Sequence, residues 1–211
     1  MTPALHYLLL KIQAVLWLAL GNRPGALSKF EQMLRRKPLD HYALASRAHV
    51  LAQLNQLEEA VTSLQQLIRL TGSGSQEAAA WFNLGYVLQQ AGLHEEAGPA
   101  FRKALELDPR MDRAWYGLAL VLIQQRQLHE AVDALQKNTA LQPLSPYGWY
   151  RLAQVWLALG QPEKAGKVIA HLRQFEPRVA AQLERENRLG NGLEDGPGRA
   201  GKASGVHHAA H

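Results

Sequence analysis

Apolar residues recur at helical spacing along most of this chain. In the run from Gln76 to Met111, QEAAAWFNLGYVLQQAGLHEEAGPAFRKALELDPRM, Trp81, Leu84 and Leu88 fall at i, i+3 and i+7, one face of a helix. Gly92 follows, a residue free to take positive φ and end that helix. Ala97 and Phe101, four apart, mark a second helix, which Pro109 stops. Thirty-four residues on, the set returns as Trp115, Leu118, Ala119, Leu122, Ala131, Leu135 and Pro143. It returns again as Trp149, Leu152, Ala153, Trp156, Ala165, Ile169 and Pro177. A period held over three units is an internal repeat. Gly85 and its alanine counterparts are small enough for a partner helix to approach closely. Each unit reads as a helical hairpin that must stack on its neighbours to cover its apolar stripe. Stacking of this kind predicts that Trp81, Trp115 and Trp149 fill equivalent interior pockets.

The same frame reaches back to the start. Leu10, Ala14 and Trp17, the turn at Gly21, then Ala26, Phe30 and Pro38 make repeat 1, residues 7–40. Its first helix, within ALHYLLLKIQAVLWLAL, has almost no polar face. A secretory signal would need a basic residue before the apolar run, and none stands there. A membrane span would need nearly twenty apolar residues, but Lys11 and Gln13 interrupt. Repeat 2, residues 41–74, carries Leu44, Ala48, Leu51, Ala60, Leu64 and Leu67 but lacks the tryptophan and the closing proline. A glycine- and serine-rich linker over 71–75 lengthens the step to the next unit. Repeats 3, 4 and 5 span 78–111, 112–145 and 146–177. Gly98-Pro99 predicts a kink near Ala97. Residues 178–189 read as a capping helix with Val179, Ala180 and Leu183 on its inner side. The glycine-rich tail, 190–211, reads as disordered, and its histidines His207, His208 and His211 as solvated.

The units match the W-x2-L-G-x2-Y…A-x3-F…P pattern, and the chain resembles the tetratricopeptide repeat family. That resemblance implies an all-α, right-handed superhelical solenoid of helix-turn-helix repeats with a short C-terminal capping helix. It also implies a non-enzymatic scaffold or adaptor that holds a partner protein or an extended peptide in its concave groove. The first helices line that groove, and the positions flanking their apolar stripes are its candidate binding residues. These are Tyr42, His49, Phe82, Asn83, Tyr86, Arg113, Tyr116, Tyr150, Arg151 and Gln154, with Gly117 among the small ones. No acidic residue occupies these positions, whereas Lys11, Arg113 and Arg151 do. Phe82, Tyr116 and Tyr150 repeat at the same period and predict a ladder of rings. A groove of this kind suits a peptide with apolar and acidic side chains or a free C-terminus. Alternatively, the rings merely shield the seams between helices. Chaperone-binding members hold a peptide carboxylate through five polar residues. The corresponding positions here are Ala45, His49, Asn83, Arg113 and Gly117, of which only Asn83 and Arg113 match, so that role is not expected.

Bulk properties add exclusions. There are no cysteines, which removes disulfides and thiol chemistry. The net charge of +5 includes Arg35, Arg36 and Lys37, which stand at a predicted helix C-terminus where cations are favoured. No basic stripe interleaved with aromatics appears, so nucleic acid is not an expected partner. No metalloprotease, nucleophile-elbow or phosphate-loop motif is present, and no catalytic residue, cofactor or metal site is expected. The expected location is the cytoplasm. The apolar first helix supports a second reading, as a membrane-associated assembly factor or a self-assembling scaffold.

Overall fold

The computed structural model describes residues 2–72 and 74–194. Among these residues there are eleven α-helices and no strand. They form five successive hairpins: α1 (Pro3–Ala19) with α2 (Arg23–Arg36), α3 (His41–Gln53) with α4 (Leu57–Leu70), α5 (Ser75–Gln90) with α6 (His94–Leu107), α7 (Asp112–Gln124) with α8 (Leu128–Leu141), and α9 (Pro146–Ala158) with α10 (Pro162–Phe175). A final helix, α11 (Pro177–Glu194), follows. It runs past Gly190, where composition places the start of a tail. Residues 195–211 lie outside the described part, and the tail histidines with them. The chain divides into two compact units, Met1–Gly148 and Trp149–His211.

Each hairpin turns through one left-handed residue. Gly21, Gly92 and Gly160 have φ of +73°, +75° and +68°. Asn55 and Arg126 take the same conformation at +60° and +61°. The turn therefore dictates the backbone even where the side chain resists it; asparagine tolerates this region, arginine less so. Polar caps start the early helices. Asn22 Oδ1 accepts from Gly25 N–H at 2.8 Å, and Asp40 Oδ1 accepts from Ala43 N–H at 2.8 Å. The other Asp40 oxygen accepts from the Tyr7 hydroxyl, tying α1 to the start of α3. Burial, then this bond, pushes the Tyr7 pKa up.

In the first unit Phe30, Leu64, Phe101 and Leu135 on the second helices are fully enclosed, together with Leu44 and Leu51 of α3 and Leu122 of α7. Phe101 is wedged between two glycines. A Cβ at Gly85 would lie 2.9 Å from its ring, and one at Gly117 only 2.5 Å. The small residue at 85 therefore does admit a close approach, between α5 and a ring on α6. The tryptophans depart from expectation. Trp81, Trp115 and Trp149 are half-buried rather than enclosed. The indole N–H donates to Glu77 Oε1 at 3.2 Å from Trp81 and to the Pro109 carbonyl at 2.9 Å from Trp115. A large ring with a polar edge stays where that edge finds a partner. Leu18 of α1 packs half-buried against the core that includes Phe30 and Met33.

α6 runs unbroken through Pro99. Ala97 N–H still reaches the Leu93 carbonyl at 3.0 Å, so the proline deprives only the Glu95 carbonyl of its helical donor. In the second unit, Ile169 and Leu172 of α10 and Ala180 and Leu183 of α11 are buried. His171 lies between Trp149 and Phe175, with ring centroids 4.4 and 5.5 Å away. Gly166 in α10 faces open space. Gly166→Ala is expected to raise unfolding free energy by about 0.5–1 kcal/mol through backbone entropy alone, read as an upward shift of the urea midpoint. An unchanged or lower midpoint would refute this.

Candidate functional site

In the first unit the first helices α3, α5 and α7 present two neighbouring clefts. The smaller, about 180 Å³, is lined by His49 and Gln53 of α3 and by Asn83, Tyr86 and Gln90 of α5. The larger, about 430 Å³, is lined by Phe82 and Tyr86 of α5, Arg113, Tyr116 and Leu120 of α7, and Tyr147. Tyr86 belongs to both, and its hydroxyl accepts from Gln90 Nε2 at 3.2 Å. His49 Nε2 and Gln53 Nε2 are 2.9 Å apart, which pairs the two side chains on consecutive turns. Phe82 backs onto Phe101 with centroids 6.0 Å apart. The Arg113 guanidinium lies 5.2 Å from the Phe82 ring centre, a cation–π contact that leaves its N–H edge for other groups.

Six of the ten predicted residues are thus brought together: His49, Phe82, Asn83, Tyr86, Arg113 and Tyr116. Tyr42 lines neither cleft. Its ring meets Phe30 edge-on at 6.2 Å and carries the Lys11 ammonium at 4.2 Å, so it closes the seam between α1 and α3. Gly117 is not an open groove position. It is buried under the Phe101 ring and forms part of the cleft floor.

Sequence reasoning missed Asp112 and Asn138 in the larger cleft; Tyr147, the counterpart of Arg113 one period on, also lines it. Asp112 opens α7 beside Arg113, so acid and base balance there and the expected positive bias does not hold at this point. Tyr147 is 71% exposed at the start of α9. Asn138 was findable: it stands where the other hairpins carry Leu67, Ala104 and Leu172, a polar residue in an apolar register. It is buried, and its Nδ2 donates to the Asp112 carbonyl at 2.9 Å.

Tyr150, Arg151 and Gln154 belong to the second unit and are engaged within it. The Tyr150 hydroxyl donates to Glu186 Oε2 of α11 at 2.8 Å, and Gln182 Nε2 donates to the other oxygen at 2.8 Å. Burial, then this bond, pushes the Tyr150 pKa up. The bonds from Gln182 and Tyr150 hold the Glu186 carboxyl below its usual range. Arg151 donates to Gln154 Oε1 at 3.0 Å. Among the described residues, no group of three or more His, Asp or Glu is placed to hold a metal ion.

The sequence model of the tetratricopeptide repeat family matches residues 13–75, 46–112 and 88–149, well over half the chain. The chain belongs to the tetratricopeptide repeat family. Tetratricopeptide repeat proteins are in general non-enzymatic scaffolds for interaction with proteins or peptides. No curated protein matches the sequence. Three solved structures similar to this tetratricopeptide repeat chain show the same all-α fold. MamA from Desulfovibrio magneticus RS-1 is 22% identical with a TM-score of 0.73, covering 85% of this chain and 96% of its own. YrrB, described as a tetratricopeptide repeat protein with an unusual peptide-binding site, is 18% identical with a TM-score of 0.68, covering 82% and 88%. PilW, a type IV pilus biogenesis factor, is 20% identical with a TM-score of 0.70, covering 81% and 78%. Among the described residues no helix is long and apolar enough to cross a membrane.

Proposed function

We propose that the first unit is an adaptor that holds an extended segment of a partner protein along α3, α5 and α7. The observation that carries this reading is the pair of clefts joined at Tyr86. A chain laid across Tyr86 reaches amide-bearing side chains on one side and an aromatic recess on the other. The larger cleft takes a bulky apolar side chain against Phe82, Tyr116 and Tyr147. A carboxylate beside it, from a side chain or a free C-terminus, meets the outer edge of Arg113. That pairing selects for an acidic group next to the apolar anchor rather than inside the cleft, where Asp112 repels it. The peptide-binding site ascribed to YrrB, a fold relative, supports a peptide as ligand.

A peptide array combining large apolar with acidic or basic neighbours tests the reading. Purified wild type should retain apolar–acidic peptides. Tyr116→Ala should weaken capture about 10- to 100-fold, the span of an interface hot spot, with helical circular dichroism unchanged. Equal capture by wild type and variant would sink the groove, and loss of the helical signal would mean that Tyr116 only seals a seam.

A further inference from the structure

Among the described residues, α1 carries more exposed large apolar side chains than any other helix. Leu5, Leu8, Leu9, Ile12, Leu16 and Leu20 are each between 41% and 66% exposed. At 100° per residue they fall within an arc of about 120–140°, opposite the side that buries Leu10 and Ala14. The helix is therefore apolar on two faces, and only one of them is covered by its own chain. We propose that the second face is an interface between two copies of this protein, α1 against α1.

Charge decides among the occupants. The arc carries no ionisable group, and its flanks hold only His6 and Gln13 on one side and Lys11 on the other. In a two-fold contact every residue meets its own patch, so a charged face would repel itself whereas a neutral apolar one is complementary to itself. Steps of four and three along Leu5, Leu9, Ile12 and Leu16 give the seam that lets a second helix interlock. A helix lying on a bilayer instead sets an apolar face against one rich in Lys or Arg. α1 has Lys11 alone, and its ammonium rests on the Tyr42 ring at 4.2 Å.

Light scattering on the eluting full-length protein should give twice the chain mass at hundreds of micromolar. Ile12→Glu/Leu16→Glu, which places charges on exposed positions, should weaken association by about a hundredfold or more and leave circular dichroism unchanged. Because the chain has no cysteine, Ile12→Cys supplies a second readout that needs no charge: oxidation should yield a covalent dimer. Failure of Ile12→Cys to cross-link, a wild type monomeric at hundreds of micromolar, or a charged variant still dimeric would each overturn the proposal. So would a wild type that floats as a monomer with phosphatidylglycerol vesicles, which would assign the face to lipid. Peptide capture by the clefts is unaffected by either result, so the two readings fail separately.

Discussion

Replacing Phe101 by alanine is expected to lower the unfolding free energy by about 3–5 kcal/mol. The ring is wholly enclosed, with Gly85 on one side and Gly117 on the other. Both positions have given up even a methyl group to admit it, so its removal leaves a void that two glycines cannot fill. The converse change separates packing from helix propensity. Gly117→Ala gains about 1 kcal/mol from propensity, yet its Cβ would stand 2.5 Å from the Phe101 ring, an overlap costing about 1–3 kcal/mol. Packing should win, and the single variant should be destabilised. In the double variant Phe101→Ala/Gly117→Ala the methyl enters the void, so the combined loss should fall short of the sum. Urea titrations of the four proteins measure this cycle. Additive losses, or a Phe101→Ala loss below about 1 kcal/mol, would show that the site relaxes and that the ring is not a wedge.

Gly148→Ala should cost about 2–4 kcal/mol, again against the direction of helix propensity. The added Cβ would lie 2.1 Å from Asn138 Oδ1 and 3.0 Å from Thr139. Asn138 is buried and bonded to the Asp112 carbonyl, so it cannot swing away without breaking that bond and leaving a buried amide unpaired. Asn138→Ala removes the obstacle. It should recover most of the loss in the Gly148→Ala background, while on its own it removes the side-chain donor to the Asp112 carbonyl. Thermal or urea unfolding of both singles and the double decides the matter. If Asn138→Ala deepened the loss caused by Gly148→Ala, the clash would not be its source.

The hairpins were legible because their signals are local and repeated: a period of 34, glycine at three turns and proline after the second helices. Asn55 and Arg126 show the limit of that legibility. Arg126 does not announce a left-handed residue, and Asn55 does so only weakly beside glycine. The tryptophan positions illustrate a different limit. Periodicity tells which side of a helix faces inward, but the depth of a side chain depends on where its polar atom finds a partner, and for Trp115 that is the Pro109 carbonyl. The groove was read from the first helices alone, of which α5 and α7 supplied Phe82, Tyr86, Arg113 and Tyr116 to the larger cleft. Asn138 comes from the following helix, outside the first-helix positions. Glu186, 36 residues beyond Tyr150, bonds its hydroxyl, and no spacing rule links the two.

The two terminal helices are finished differently. α11 turns Arg178, Gln182, Arg185 and Glu186 to water, whereas α1 turns leucines outward. An α1 face that pairs with its own copy is used up by a single contact. When two chains join through α1, that face is covered on both, so this contact halts at the pair and adds no third chain.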